Sequence, residues 1–305
     1  MTALPRVSIL TPSYNQGRYL ADTLASVRAQ DYPNLEHIVV DGASTDDTLA
    51  LLAGARGVEF VSEPDDGQAS ALNKAFEMSS GEIIGWLNSD DFYVTRDAVS
   101  RSVAALVDRG ADVAYGHAIW VDDVRTVVKV HLRPAFSAAR LRRFDFISQP
   151  ATFFRRSAAP TPLVDAALGY ALDYALWLEM AGAGRTFARV DEIVAAMRYH
   201  PIAKSVGSRG EMWAETDLVR EQTAGSSVHS AGVVGDLFAM AALKVRGLTR
   251  FSRQGLAAER WCLPLTLPAW SRRPLFQVGI GGASGSAFLF PRYLAARRGR
   301  TGEPT

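Results

Sequence analysis

Cysteine and net charge are both nearly absent from this chain of 305 residues. Cys262 is its only cysteine, which excludes a disulfide framework and a cysteine-based metal site. The first residues, MTALPRVSIL, lack the charged-then-apolar layout of a signal peptide. The longest apolar run of the tail is interrupted by glycine and serine, so it is too broken for an ordinary membrane-spanning helix. A cytoplasmic protein is therefore expected.

Several catalytic signatures are missing as well. No G-x-G-x-x-G follows the first apolar strand, and neither G-x-x-x-x-G-K-[ST] nor G-x-S-x-G occurs. These absences argue against a Rossmann-type dinucleotide site, a P-loop and a serine hydrolase. In VDGAST, Ala43 stands where an aspartyl-phosphate phosphatase needs its second aspartate.

The chain does contain a regular alternation of apolar strands and amphipathic helices. Strand patterns at 6–11, 35–41, 58–63 and 82–87 alternate with helical patterns at 18–30, 42–55 and 66–79. This order predicts a parallel sheet with helices on both faces. Looser patterns follow: a helix near 95–108, strands at 112–123 and 126–132, a strand or loop at 147–157, a helix at 173–184 and a strand at 193–200.

Polar clusters follow each of the first four strands: TPSYN, DGAST, EPDDG and NSDD. Ligands of parallel sheets bind beyond the carboxyl ends of the strands, so a ligand site is expected there. Asp90 and Asp91 are oxygen donors suited to Mg²⁺ or Mn²⁺, but they would also fit as caps of the helix near Thr95. Asp41 fits either a contact to a base or ribose or a helix cap, and Ser44 or Thr45 could also cap that helix.

Four segments resemble the family 2 glycosyltransferases of GT-A fold in order and spacing: VSILTPSYNQGRYLADTLASV, HIVVDGASTDDT, SEPDDGQASALNKAF and GEIIGWLNSDD. The resemblance covers about the first 205 residues. It implies an α/β, GT-A Rossmann-like, mostly parallel sheet flanked by helices. It also implies inverting transfer of a sugar from a nucleotide diphosphate sugar, best matched by a UDP-sugar, to an acceptor hydroxyl in polysaccharide, glycolipid or other glycan assembly. Mg²⁺ or Mn²⁺ is the implied cofactor.

The resemblance also assigns roles to residues that would bind the donor. Asp41 resembles the acid that reads the base, and Lys74 is expected to face the diphosphate or the ribose. Asn88 and Asp90 match the family's ribose and metal motif, although many relatives have another aspartate at the position of Asn88. The first nucleotide-binding loop is expected to consist of Thr11, Pro12, Tyr14 and Asn15.

The expected metal ligands are Asp90, Asp91 and His200. His200 lies in MRYHPIAKS, which resembles the family segment Y-R-x-H-x-x-S. From the same segment, Arg198 and Lys204 are expected to contact the diphosphate or the acceptor.

The expected general base is Asp173. It lies in ALDYALWLEMA, which resembles the family segment E-D-Y-x-L-W-L. Leu172 replaces the commoner glutamate, so the neighbouring charge is missing. Asp173 could instead cap its helix, and the two roles are compatible. Gln149 is expected to face the acceptor pocket.

The tail has a different composition from the rest of the chain. Residues 240–305 carry eleven Lys or Arg against two acids. We therefore predict a catalytic domain at 1–224 and a basic, mainly helical extension at 225–305. Basic residues beside Trp, Phe and Leu suit peripheral contact with the inner face of the cell membrane, where a lipid-linked or other glycan acceptor could be met. The alternative is a helical cap on the catalytic domain. No nucleic-acid-binding module accompanies the charge, so no nucleic acid partner is expected.

Two other functions stay open from the sequence. A sugar nucleotidyltransferase has a related sheet and carboxylate-bound Mg²⁺, but it would need a glycine- and arginine-rich first loop, which TPSYNQGR is not. A nucleotide-sugar-binding protein without turnover would explain the departures at Asn88 and Leu172.

Overall fold

The computed structural model describes residues 4–200, 209–224 and 261–266. Two short 3-10 turns, Gln149–Ala151 and Arg156–Ala158, flank one of the strands. The strands are β1 Val7–Ser13, β2 Leu35–Asp41, β3 Glu59–Ser62, β4 Ile83–Trp86, β5 Phe92–Tyr93, β6 Val113–Val121, β7 Val127–His131, β8 Thr152–Arg155 and β9 Phe187–Arg198. The helices are α1 Gly17–Arg28, α2 Thr48–Gly54, α3 Gln68–Met78, α4 Ala98–Asp108, α5 Ala138–Leu141, α6 Leu172–Gly182 and α7 Arg209–Ala224.

These strands form one mixed sheet in the order β3-β2-β1-β4-β8-β6-β9-β5, and β7 also pairs with β6, from Ala118 to Val121. The first four strands pair in parallel, as the βα alternation predicts. Beyond β4 the sheet is mixed, because β8 runs antiparallel to both β4 and β6, whereas β9 runs parallel to β6. A short connection such as that between β6 and β7 can only join antiparallel strands, since parallel strands need a longer crossover. The expected α/β class is therefore confirmed, with a smaller parallel share than expected.

Helices cover both faces of the parallel half, which explains why its central strands are apolar throughout. Every residue of β1 is buried. Successive side chains of a strand point to opposite faces, so Leu10 packs with Leu72 of α3, whereas Ile9 packs with Val27 of α1. This burial on both faces fixes the register of β1 between β2 and β4 and brings the carboxyl ends of these strands to one edge.

Two helices begin later than the sequence patterns suggest. Helix α2 begins at Thr48, whose backbone N–H donates to Oδ1 of Asp46 at 3.0 Å, so neither Ser44 nor Thr45 caps it. Helix α4 begins at Ala98. Asp90 and Asp91 therefore do not cap α4, which removes the structural alternative for this acidic pair.

A short piece of the predicted extension packs against the catalytic sheet. The Cys262 N–H donates to the Val94 carbonyl oxygen at 2.9 Å, and the Val127 N–H donates to the Thr266 carbonyl oxygen at 2.9 Å. Trp261, Leu263 and Leu265 pack on a buried cluster made of Phe92, Val94, Ile119, Val121, Val127 and Ala196. We call residues 261–266 the tail segment. It thus contacts Val94, which follows β5, and Val127 of β7.

The remaining predictions for the tail concern residues outside the described part. The boundary near 224, the helical character of 225–260 and 267–305, and the membrane contact stay predictions, and Lys204 also lies outside the described residues. Across residues 4–200, 209–224 and 261–266, no helix is long and apolar enough to cross a bilayer.

We expect the tail segment to contribute measurably to stability. Leu263→Ala and Leu265→Ala should each lower the free energy of unfolding by about 1–2 kcal/mol, because each removes half-buried apolar surface and leaves a gap. Urea unfolding followed by fluorescence measures this. Val107→Ala, at a position 51% exposed on α4, is the control and should change stability little. Leucine variants as stable as wild type would show that the segment does not pack on the sheet in solution.

Candidate functional site

The loops that follow β1 and β2 are joined to each other. Asn15 has a positive φ of 51°, and its side-chain Oδ1 accepts the Thr45 N–H at 2.8 Å. The Asn15 N–H donates in turn to Oγ of Ser44 at 2.7 Å. Tyr14, one residue earlier, is 63% exposed at the edge of this pair of loops. Asn15 and Tyr14 therefore lie where the sequence predicts the first nucleotide-binding loop.

Below these loops, the predicted donor-site residues Thr11 and Pro12 are buried. Thr11 and Pro12 lie within β1, and Oγ1 of Thr11 is 2.9 Å from Nε2 of His37. Burial lowers the pKa of His37 to about 4, so this imidazole is neutral at pH 7.

Asp41, at the end of β2, is fully buried and organises the loop above it. Its Oδ2 accepts the Ser44 N–H at 2.8 Å and the Ser62 hydroxyl at 2.7 Å. Its Oδ1 accepts the Ser44 hydroxyl at 2.5 Å. Asp41 thus fixes the turn that binds Asn15, without capping α2.

The turn from Asn88 to Asp91 follows β4 and is held from two sides. Oγ1 of Thr23, on α1, lies 2.9 Å from the Ser89 carbonyl oxygen and 2.7 Å from that of Asp91. On the other side, the Arg198 N–H at the end of β9 donates to Oδ1 of Asp91 at 3.0 Å. The first and last parts of the catalytic domain therefore clamp the acidic turn between them.

Arg198 lies inside this clamp, with its side chain only 1% exposed. Its Nη2 pairs with Oδ2 of Asp22 at 2.6 Å, and its Nε donates to the Asp90 carbonyl oxygen at 3.1 Å. The guanidinium also lies over the rings of Tyr19 and Phe92, at 4.8 and 5.5 Å. The structure thus surrounds Arg198 with protein partners, whereas the sequence suggests a diphosphate or acceptor contact.

The three predicted metal ligands converge but do not form a three-ligand cluster. Nε2 of His200 lies 2.9 Å from Oδ2 of Asp90, while Asp91 faces the Arg198 backbone. Across the described ranges, no group of three or more His, Cys, Asp or Glu side chains is arranged to hold a metal ion by itself. Asp90 is 20% exposed at the side chain, so its carboxylate can still reach a ligand.

The environment of Asp91 resists ionisation. Burial, followed by repulsion from the Asp90 carboxylate, holds the pKa of Asp91 well above its usual range, although the Arg198 N–H acts in the opposite direction. A divalent cation would relieve both effects, because it supplies the positive charge that this pair lacks. The pair therefore fits an ion that is shared with substrate oxygens and water, the usual manner of Mg²⁺.

Asn88 belongs to a network of amides. Its Oδ1 accepts the Trp86 indole N–H at 2.8 Å and the Gln68 amide at 2.9 Å, and its Nδ2 donates to Oε1 of Gln149 at 3.1 Å. Gln149 in turn donates to the Trp86 carbonyl oxygen. An aspartate at position 88 would set two acceptor oxygens against each other, which explains why this chain carries an amide there. Gln149 is only 7% exposed and faces this network.

Lys74 and Glu63 form an exposed ion pair at the rim. Their side chains are 36% and 52% exposed. Lys74 is therefore accessible to a ligand beside the end of β3, and its contact with a diphosphate or ribose stays a prediction.

Asp173 lies at the second position of α6 and interacts electrostatically with Arg133 and Asp145, and we refer to these three residues together as the charged cleft. Oδ1 of Asp173 accepts the Tyr174 N–H at 2.9 Å, and the backbone N–H of Asp173 itself also bonds to this carboxylate. Loss of solvent around the carboxyl group raises the pKa of Asp173 to about 6. The two backbone hydrogen bonds and the positive charge of Arg133 act in the opposite direction. Asp145 remains exposed in the same cleft, and the protein around it, followed by Asp173, raises its pKa as well.

Two adjacent residues connect this cleft to the amide network. Arg133 acts electrostatically on Asp173, and its Nε donates to Oγ of Ser148 at 2.6 Å. The next residue is Gln149, which binds Asn88. The buried residues Ser148 and Gln149 thus link Arg133, which acts on Asp173, to the acidic turn.

Sequence reasoning missed Asp22, Arg133 and Asp145. Asp22 lies on an amphipathic helix, where a charge normally indicates a solvated face. Asp145 is the only acid in RLRRFDFIS, which is a weak signal by itself. These residues acquire a role only through segments that are far away in the chain, so no local pattern reveals them.

Comparison with known proteins places this arrangement in a family. The profile of glycosyl transferase family 2 matches residues 8–165. An uncharacterized glycosyltransferase of Mycobacterium tuberculosis is 33% identical over 184 residues, which cover 58% of this chain and 66% of that protein. The putative teichuronic acid biosynthesis glycosyltransferase TuaG of Bacillus subtilis is 33% identical over 39% of this chain and 49% of its own length. The chain thus spans less than two thirds of these relatives. Asp173, Arg198 and His200 lie beyond residues 8–165, the range that the family profile matches.

Solved structures show the same fold at low identity. S. aureus TarS in complex with UDP-GlcNAc has a TM-score of 0.57 at 16% identity, over 82% of this chain and 76% of that one. The mannosyltransferase PcManGT from Pyrobaculum calidifontis, in complex with GDP-Man and Mn²⁺, has a TM-score of 0.55 at 19% identity, over 97% and 81%. These similarities confirm the GT-A fold.

The burial of Arg198 makes a prediction about stability. Arg198→Ala should lower the free energy of unfolding by about 3–5 kcal/mol, because Asp22 and three carbonyl oxygens lose a buried partner. Lys74→Ala breaks an exposed pair and should cost less than about 1 kcal/mol. Chemical denaturation of both variants beside wild type measures the contrast. Equal stabilities of the two variants would contradict the buried role of Arg198.

Proposed function

The chain belongs to glycosyl transferase family 2, and from that premise we propose that it moves a sugar from a nucleotide diphosphate sugar to an acceptor hydroxyl with inversion at the anomeric carbon. That the chain is a glycosyltransferase follows from its family and relatives. One set of contacts carries the finer proposal. Arg133, which acts on the Asp173 carboxylate of raised pKa, bonds to Ser148, and the next residue, Gln149, bonds to Asn88 in the acidic turn after β4. A transferase of this kind needs both parts in one site.

A UDP-sugar is the donor that we propose. The exposed Tyr14 ring and the joined loops at Asn15 and Ser44 lie beyond the carboxyl ends of β1 and β2, where a base and ribose would bind. Lys74 lies at the rim, where its charge would face the diphosphate. TarS was crystallised with UDP-GlcNAc and PcManGT with GDP-Man, so nucleotide sugars occupy both structural neighbours.

Asp90 and Asp91 would hold Mg²⁺ or Mn²⁺ in this proposal, together with donor oxygens and water. The bound ion would supply positive charge that stabilises the departing diphosphate. The chain itself supplies the orientation of the acidic pair. His200 fixes Oδ2 of Asp90, and the Arg198 N–H fixes Oδ1 of Asp91.

Asp173 is the general base that we propose. Its carboxylate bonds to backbone N–H groups at the start of α6, and it would take the proton of the acceptor hydroxyl as the oxygen attacks the anomeric carbon. A pKa of about 6 suits this role, because the carboxylate is mostly ionised at pH 7 yet more basic than an ordinary aspartate. The acceptor would enter through the cleft that Asp145 and Arg133 line.

The acceptor that we propose is a glycan or lipid-linked glycan of a cell-envelope polysaccharide. TuaG, named for teichuronic acid biosynthesis, supports this class of product. The basic tail would bring the enzyme to the inner face of the cell membrane, where a lipid-linked acceptor is found.

Calorimetric titration tests the donor site. Wild type should bind UDP more tightly than GDP or dTDP, and only with Mn²⁺ present, because the acidic pair repels a bare diphosphate. Asp90→Asn should lose most of this metal-dependent affinity. The control, Asp108→Asn, removes the same charge at an exposed position on α4 and should bind as wild type does. Tight binding of UDP in EDTA would contradict metal use.

Asp173→Asn tests the chemical step. Transfer should fall about 100- to 10,000-fold while UDP binding stays unchanged, since the amide cannot take the proton. In wild type, kcat should rise as the pH is raised through about 6, because a base must be deprotonated to act. Nucleoside diphosphate release, followed across pH, measures both effects. Pyrophosphate as the product would instead identify a nucleotidyltransferase, and donor binding without any turnover would identify a binding protein.

A further inference from the structure

Glu215 of α7 binds the loop that leads into α6. Its Oε1 accepts the Tyr170 N–H at 2.7 Å and the Ala171 N–H at 2.6 Å, and its Oε2 accepts the Gly169 N–H at 2.9 Å. Three consecutive backbone donors thus converge on one carboxylate. Such charge-assisted bonds are stronger than neutral ones, so they fix the path of the loop.

The loop determines where Asp173 lies. Ala171 is the residue from which α6 starts, and Asp173 is the second residue of the helix. Val219 of α7 is buried in the same apolar cluster as Leu172, so α7 is packed firmly enough to act as a support. A shift of the loop would move the start of α6 and Asp173 with it.

The charged groups around Asp173 and the start of α6 come from two segments. Arg133 and Asp145 face it from the segment between β7 and β8, and their opposite charges act on its carboxyl group. On α7, Asp217 and Arg220 act on the neighbouring Tyr174. Glu215 is the group of α7 that bonds directly to the backbone leading into Asp173.

Resting on the proposed function, we infer that Glu215 is a positioning residue for Asp173, holding the start of α6 so that the Asp173 carboxylate points to the acceptor hydroxyl. Leu172, the first residue of α6, is apolar, and the carboxylate that reaches the start of this helix comes from α7, at Glu215. Once Glu215 satisfies the loop donors, the Asp173 carboxylate bonds to backbone N–H groups of its own helix, those of Asp173 and Tyr174.

Substitution of Glu215 in the full-length protein tests this role. Glu215→Ala should lower kcat about 10- to 100-fold, with the KM for the donor unchanged, because a displacement of the base affects the chemical step and not donor binding. The pKa of Asp173, measured by ¹³C-carboxyl NMR and assigned with Asp173→Asn, should fall. The three N–H groups that the substitution frees can then attract the Asp173 carboxylate, which favours its charged form.

A conservative variant and a control sharpen the test. Glu215→Gln keeps one acceptor oxygen for Tyr170 and Ala171, so kcat and the Asp173 pKa should recover part of the way to wild type. Glu221→Ala removes a carboxylate from an exposed position of the same helix and should leave both quantities unchanged. Circular dichroism and thermal melts report the folded fraction of each variant.

Two results would overturn the inference. One is wild-type kcat in Glu215→Ala. The other is a loss of activity that matches the unfolded fraction while the Asp173 pKa stays unchanged, since Glu215 would then only stabilise the fold. If wild type transferred no sugar from any donor, the proposed function would fail, and the NMR titration would still decide whether Glu215 controls Asp173.

Discussion

The buried guanidinium of Arg198 is the contact on which the donor side of the site depends. It meets Asp22 on α1, the Asp90 carbonyl oxygen after β4, and the Asp122 and Asp123 carbonyl oxygens after β6. A buried charge is tolerated only when it is paired and hydrogen-bonded, so these three segments must stay in register around it. The acidic turn is therefore held by segments that are distant in the sequence, which keeps two adjacent carboxylates together despite their repulsion.

The same network extends to the tail segment and to the acceptor side. Arg125 binds both oxygens of Asp22 at 2.9 Å, and its Nε donates to the Pro264 carbonyl oxygen at 3.1 Å. Residues 261–266 are thus linked to the acidic turn through Arg125, Asp22 and Arg198. Across the sheet, Ser148 and Gln149 link the turn to the cleft of Asp173. Hydrogen bonds and ion pairs therefore connect all parts of the site, although its residues come from distant parts of the chain, including the tail segment.

The sequence predicts the first half of the fold well, because the local spacing of apolar residues determines which segments form strands and which form helices. The strands at 35–41 and 82–87 and the helix after Gly17 lie almost where the apolar patterns place them. The antiparallel strand β8 and the 3-10 turn before it are less readable, since they depend on pairing with β4 and β6. Arg198 shows the limit for the site: its motif marks it as important, but only the fold decides whether a guanidinium faces a ligand or the interior.

The two departures from the family pattern have a common explanation in long-range contacts. Asn88 is an amide because Gln149 and Trp86 complete a network that a carboxylate would disrupt. Leu172 is buried in the apolar core, and Glu215 brings a carboxylate to the start of α6 from another helix. In both places the chemistry required at a point in space is met by a residue that is remote in sequence. A family motif is therefore better compared as a set of contacts than as a string of letters, since a substitution within the string can be balanced outside it.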